Sequence, residues 1–493
     1  MSFINTNIAA FMAHRALSTH NNQMFDTLRH LSTGLRVESA KDDPAGMVAS
    51  SSLRSDMVGI DAAMNSITRG EQIIATAEGA IGEINELLLE LQAIVTESGN
   101  FGGLGEQERM AMQSEVDVIL EAIDRIAIGT EFNGNQLLNG NFDYELRGNE
   151  LSNFEWVHVN NARLGTGGQP LDIHADVLVA AEKAQAGITL DNGVLSSSMG
   201  LSVTFEIAGS KGVQQFTFAD GTNKLDMEAA ISTFAEELGI EVDLTSNNEL
   251  IIKSREYGSS QIATVRVVEA NGQNSNGGPF VRSWNGTEWT DEADNEHTDN
   301  GVDAQMLMNG QRAIVQGLEA HVVANGFNVE YRLTESANVV GDYDFEIVSG
   351  GAFFDVAAGA NRSELATLGI RSMTTGSIGG FDGMLSKIRT GGEASVLDGN
   401  LLQAQRIVEQ AVDDVTKTRG RLGSFMRYTL ESARNNLDAT LEQVAAADTA
   451  IRDADLAWET AALARTQILS QSALQALSMA NSHPMQILNL LNA

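Results

Sequence analysis

The sequence predicts an α+β protein: two long helical arms, one from each end of the chain, pair as an antiparallel coiled-coil bundle, and a β-rich outer region is inserted between them. Three observations predict it. Apolar residues recur every seven positions in both ends. The apolar period drops to two in the centre. Gly, Asn, Asp and Ser also cluster in the centre, while the ends stay compatible with helix. The expected division is residues 1–35 with 455–493 as terminal helical segments, 36–141 with 384–454 as the arm domain, and 142–383 as the inserted region, its flanks packing on the arm domain.

In the first arm Ile67, Ile74, Ile81, Leu88 and Val95 are spaced by seven, and Ala77, Ile84 and Leu91 fill the second seam position of a coiled coil. The run 67–98 predicts a helix of roughly 45 Å, at about 1.5 Å per residue. Gly99–Gly105 turns the chain, and Met112, Val116, Ile119, Ile123 and Ile126 mark a second amphipathic helix ending near Gly129. Upstream, Asp43 before Pro44 fits an N-cap followed by proline at the first helical position. Capping is preferred to metal binding there, since no further carboxylate cluster joins Asp42 and Asp43.

The closing arm carries no proline from Ala394 to Ser482, and its seams read Leu401, Val408, Val415, Leu422, then Leu430, Leu437, Val444, Ile451. The offset between Leu422 and Leu430 is a stutter, which alters supercoiling without ending the helix. Arm packing is expected at Ile74, Ile81, Leu88, Val95, Val116, Ile123, Val408, Val415, Leu422, Leu437 and Val444. Each buried Leu or Ile contributes roughly 1.5–3 kcal/mol, and the two arms most simply bury each other. Charge agrees: residues 71–124 hold twelve acids against Arg109 alone, whereas 387–434 hold eight bases, including Arg419 and Arg421, against six acids.

The outermost ends differ. Residues 1–35 carry Ile4, Ile8, Phe11, Leu17, Met24, Leu28 and Leu31 at helical spacing among Asn, His, Thr and Ala, and the last forty carry Leu456, Leu463, Ile468, Leu474, Leu477, Ile487, Leu488, Leu490 and Leu491. Such nearly neutral, weakly capped helices are marginal alone and are expected to pair with each other and with neighbouring molecules. A polymer interior is one such setting, with Ile4, Asn5, Ile8, Phe11, Leu28, Leu31, Leu463, Ile468, Leu474, Leu477, Ile487, Leu488, Leu490 and Leu491 as its contact residues.

In the centre, Leu201–Ile207 and Val213–Phe218 alternate like a hairpin, Leu225–Leu238 reads as a helix, and Ile240–Leu244 with Leu250–Lys253 reads as a second hairpin. Together they predict a compact ββαββ unit near 200–254. Further strands are expected at Ile262–Val268, Phe327–Leu333 and Tyr343–Val348, and Gly272–Gly301 reads as an exposed loop.

Composition narrows function. The net charge of −35 argues against nucleic acid, because a phosphate binder needs a basic face. Most of that charge, −22, lies in residues 142–383, as expected of a strongly solvated surface. Without cysteine there are no disulfides, thiolate metal sites or cysteine nucleophiles. The opening residues lack a basic and apolar leader, and no stretch reaches the length of a membrane span, so neither a cleaved signal nor membrane insertion is expected. None of the eight histidines sits in a His-Glu-x-x-His pattern, and there is no P-loop or Gly-x-Ser-x-Gly elbow. Gly165–Gly168 is only a fragment of a dinucleotide loop. No catalytic residue, metal or cofactor is therefore assigned. Trp156, Trp284 and Trp289 read as core or loop anchors rather than carbohydrate platforms.

Read together, the ends resemble the bacterial flagellins. The resemblance rests on Ile4-Asn5-Thr6-Asn7, Leu31–Val37, Ser39–Gly46 and Ala77–Ile81, on Glu131–Gly140, and on Ala450–Thr460, Gln467-Ile468-Leu469 and Ile487–Leu491. It covers about half the chain, at both ends and in the right order, and several ordered matches are more specific than any one motif. The centre is similar to repeats inserted in flagellin variable regions.

The resemblance implies a non-enzymatic subunit that self-assembles into a helical flagellar filament for swimming motility, with the end segments lining the filament core. It implies export through the flagellar apparatus without a cleaved signal, and an extracellular location. The implied partners are other copies of the chain, hook-associated junction and cap proteins, an export chaperone and the export apparatus. At the arm site read by the innate Toll-like flagellin receptor, Ile94 and Glu115 are compatible and Glu90 replaces a basic residue, which implies weak recognition. A hook–filament junction protein of the same architecture, or a surface display and adhesion module, are the alternatives.

Overall fold

The computed structural model describes residues 7–491 apart from 100–102, 104, 165–168, 192, 198–201, 245–248, 270–277, 285–288, 325, 358–364 and 398–399, and leaves the side chains of 269 and 483–491 undescribed. Among the described residues seven α-helices lie in the order α1 (Ile8–Thr33), α2 (Pro44–Ser98), α3 (Glu106–Gly129), α4 (Lys224–Leu238), α5 (Leu401–Phe425), α6 (Ser432–Arg452) and α7 (Leu456–Leu491), with every described strand between α3 and α5. The architecture is thus α+β, with helical ends and a β-rich centre. The chain forms two compact units: residues 1–74, 354–366 and 423–493 in one, and 75–353 with 367–422 in the other.

In the larger unit the heptad positions do what their spacing dictates. Ala77, Ile81, Ile84, Leu88, Leu91 and Val95 of α2, Val116, Ile119, Leu120 and Ile123 of α3, and Ile407, Val408, Val415 and Leu422 of α5 are all buried. At the turn after α2, a Cβ on Gly99 would come within 2.9 Å of Leu401 at the start of α5, so glycine permits the close approach. Gln113 of α3 is fully buried yet satisfied: its amide donates to the Ile388 carbonyl at 3.0 Å and accepts from the Val396 N–H at 2.9 Å.

The β-rich centre of this unit contains two hydrophobic cores. One is closed by a five-stranded sheet (311–312, 305–308, 171–179, 341–350, 144–147) and a four-stranded sheet (314–316, 319–324, 327–333, 154–162), with Phe154, Tyr331 and Phe345 packed edge to face. The other lies between the sheets 289–291, 281–284, 185–189, 249–254, 240–244 and 296–300, 262–269, 203–209, 213–218, and receives Met227, Ile231 and Leu238 of α4. The elements of the expected ββαββ unit are present, but its two hairpins belong to different sheets, joined through the core that α4 helps fill. The stretch expected to be an exposed loop, Gly272–Gly301, instead contains strands Val281–Trp284, Trp289–Asp291 and Glu296–Asn300. Their pairing with 185–189 and 262–269 overrides a polar composition that carries no strand signal of its own.

A second face of α5 is polar at helical spacing. Arg406 pairs with Asp382 at 3.1 Å, Gln410 donates to Asp382 at 3.0 Å, Asp414 takes Arg371, and Arg421 donates to the Asn160 side chain and, at 3.4 Å, to the Gly369 carbonyl. Arg371 reaches His158 Nδ1 at 3.0 Å, and Trp156 stacks on that imidazole with ring centroids 4.4 Å apart. Burial, with Arg371 and Arg421 alongside, holds the His158 pKa down near 3, so the ring is neutral. The two arginines expected to face the acidic arm therefore part ways: Arg419 pairs with Glu78 at 3.3 Å, whereas Arg421 is turned into this buried network.

The helical path of the closing arm continues through the expected stutter. The stutter is a π-helical segment, Met426–Glu431, between α5 and α6. Its wider turn absorbs the extra residue between Leu422 and Leu430 and leaves both side chains buried. The helix then ends at Asp453: Asp455 accepts from the N–H groups of Ala457 at 2.9 Å and Trp458 at 3.1 Å, capping α7. Leu35 and Asp453 form a β-bridge across the break, with the Ala454 N–H donating to the Gly34 carbonyl at 2.9 Å. Gly34, at φ +71, ends α1 in the left-handed conformation that only glycine adopts freely.

Candidate assembly surface

α1 and α7 run antiparallel and touch along their length, with Asn7 donating to the Ala480 carbonyl at 2.7 Å, Asn21 accepting from Ser470 at 2.9 Å and His30 meeting Glu459 at 2.8 Å. Small and polar groups form this contact. On α1 only Thr27 is buried; on α7 the described buried side chains are Glu459, Thr466, Ser470 and Ala473, at helical spacing. Phe11, Phe25, Trp458, Ile468 and Leu474 are exposed, whereas Leu17, Met24, Leu31, Leu463 and Leu477 are half-buried.

Among the residues expected to make polymer contacts, Phe11 is 75% and Ile468 64% exposed, Ile8, Leu28 and Leu474 are exposed, and Leu31, Leu463 and Leu477 are half-buried. Ile4 and Asn5, and the side chains of Ile487, Leu488, Leu490 and Leu491, lie outside the described residues. Sequence reasoning missed Met12, Phe25, Trp458, Leu469 and Met479, which are exposed on the same two helices. Phe11 beside Met12, and Ile468 beside Leu469, were the available signal: adjacent apolar residues cannot share one narrow stripe, so the apolar surface wraps further round each helix.

The base of this helix pair is fixed by polar contacts. Asp448, on α6, accepts from Ser50 at 2.5 Å and Arg54 at 3.2 Å, and the Ser50 hydroxyl followed by the Arg54 guanidinium holds its carboxyl below the usual range. Asp42 accepts from the Ser39 N–H at 3.0 Å and from Arg29 at 3.0 Å; the Ser39 N–H leads in holding it below the usual range. Asp43 caps α2 through the Gly46 N–H at 2.9 Å.

The arm-packing residues Ile74, Ile81, Leu88, Val95, Val116, Ile123, Val408, Val415, Leu422 and Leu437 are buried, and Val444 is half-buried. Of the three residues expected at a receptor-facing site, Glu90 and Glu115 are exposed, whereas Ile94 is only 8% exposed and so presents little surface. Trp284 and Trp289 pair across their hairpin, ring centroids 5.3 Å apart, both half-buried. Among the described residues no helix is long and apolar enough to cross a membrane.

Two family descriptions match the chain: the bacterial flagellin N-terminal helical region over residues 4–143 and the bacterial flagellin C-terminal helical region over 405–491. Polar flagellin B/D of Vibrio parahaemolyticus is 26% identical over 488 residues, 99% of each chain. Flagellin A of Helicobacter pylori is 25% identical over 529 aligned positions, again 99% of each. Among solved structures, the flagellar junction protein FlgL of Legionella pneumophila covers 82% of this chain and 99% of its own at 13% identity, with a TM-score of 0.28, too low to define a common arrangement.

Proposed function

We propose, from the premise that this chain belongs to the bacterial flagellin family and is a structural subunit of the flagellar filament, that it assembles through the outward apolar faces of α1 and α7. One observation carries the reading: the helix pair fully buries only Thr27, Glu459, Thr466, Ser470 and Ala473 among its described side chains and leaves Phe11, Phe25, Trp458, Ile468 and Leu474 exposed. An apolar surface of that kind marks a site for another molecule. Copies meeting through unlike surfaces that do not close a ring grow into an open helical array.

In this reading residues 1–35 with 455–493 line the filament interior, 36–141 with 384–454 form the surrounding tube, and the acidic 142–383 projects outward. The chain works by assembly rather than turnover. It leaves the cell through the flagellar export apparatus with a chaperone, and meets junction and cap proteins at the filament ends. The test is seeded pelleting of the full chain carrying Phe11→Asp or Ile468→Asp. Both side chains are exposed in the free chain, so helix content by circular dichroism should stay the same while seeded assembly is lost. Pelleting equal to the parent would refute the assigned surface.

A further inference from the structure

Met12 on α1 and Met479 on α7 are 67% and 72% exposed. The Asn7–Ala480 and Asn21–Ser470 contacts place them at neighbouring levels of the antiparallel pair, beside exposed Ile8, Phe11 and Leu474. With no cysteine in the chain, methionine thioethers are its only side-chain sulfurs.

We propose that Met12 and Met479 are oxidation sites whose state gates assembly of the subunit, an inference that rests on the assembly surface assigned above. The oxidant is hydrogen peroxide. The thioether sulfur attacks one peroxide oxygen, an S–O bond forms as the O–O bond breaks, and the departing hydroxide takes up the remaining peroxide proton and leaves as water. Sulfur loses two electrons and the peroxide gains them. The product sulfoxide is polar and chiral where the thioether was apolar and pliable. At a contact that would bury it among Ile, Phe and Leu side chains, its oxygen must give up hydrogen bonds to water without a replacement. The free subunit is thus sensitive to peroxide, and the polymer, with a second copy over the same face, is protected.

The experiment treats the free chain and preformed filaments with hydrogen peroxide, maps sulfoxide at both positions by peptide mass spectrometry, and measures seeded pelleting. The expected result is slower oxidation of Met12 and Met479 in filaments, and a rise of about tenfold or more in the concentration at which the oxidised chain assembles. Methionine sulfoxide reductase should reverse that rise. The Met12→Leu/Met479→Leu chain, a volume-conserving change, should show no such rise when its peroxide-treated and untreated forms are compared. Should the double variant fail to assemble untreated, reductase rescue of the oxidised parent still decides the question. Unchanged assembly of the oxidised parent overturns the gate alone. Equal oxidation of both methionines in free chain and filament overturns the gate together with the surface on which it rests.

Discussion

Protonation of His158 is opposed by two arginines and by burial, and this sets a pH dependence that can be worked out. Its pKa is near 3 in the folded chain against an ordinary value of 6.5, so the unfolded chain takes up the proton first as pH falls. The contribution to stability is therefore complete above about pH 6.5 and is lost towards pH 3, at about 1.4 kcal/mol per pH unit. His158→Gln should flatten the pH dependence by that slope between pH 6 and 4. Chemical unfolding followed by tryptophan fluorescence reads it, since Trp156 stacks on this ring. Equal slopes for parent and variant would contradict the assignment. Nothing in the sequence around His158 announces the network, because its members Arg371, Asp414 and Arg421 are more than two hundred residues away. Arg419 and Arg421 show the same limit: both read as cations of one arm, and only the fold distinguishes an exposed partner of Glu78 from a half-buried partner of Asn160.

The arm helices were legible because their period is a direct consequence of burial. Most seam positions spaced by seven, among them Ile74, Ile81, Leu88, Val95, Val408, Val415 and Leu422, become inaccessible, and the offset between Leu422 and Leu430 marks the place where the helix widens into a π turn. That turn carries one residue more than an α-helical path needs, which leads to a paired prediction. Deleting exposed Tyr428 restores a spacing of seven and should change the thermal stability of the full chain by no more than about 1 kcal/mol. Inserting an alanine after Tyr428 makes the spacing nine and turns Leu430 and Leu437 about 100° further round the helix. It should cost at least about 2 kcal/mol, the burial of one such side chain. Equal effects of the two changes in thermal melts would contradict this account of the π turn. Other elements were less legible. The break at Asp453–Asp455, where the expected division between residues 454 and 455 falls, carries neither glycine nor proline, and its local signal is only the aspartate that caps α7. Strand Glu296–Asn300 is polar throughout and exists because 262–269 offers it a ladder.

For the whole molecule, the two ends of the chain read as partners from composition alone, but the way they meet did not. The structure fully buries Thr27 and the row Glu459, Thr466, Ser470 and Ala473, and leaves Leu17, Met24, Leu31, Leu463 and Leu477 half-buried. This arrangement makes sense in a subunit whose terminal helices complete their burial in a polymer, since helices with so small an inner core are marginal alone. A folded chain opens locally where buried apolar contacts are few, so α1 and α7 should exchange their amide protons far sooner than the heptad seam of α2.

The most direct measurement is hydrogen–deuterium exchange, read by mass spectrometry, on the free chain and on seeded filaments of the same preparation. The account predicts rapid exchange across α1 and α7 in the free chain and strong protection of both helices in filaments, with residues 81–95 of α2 protected in each. Filaments whose α1 and α7 exchange as fast as in the free chain would contradict it.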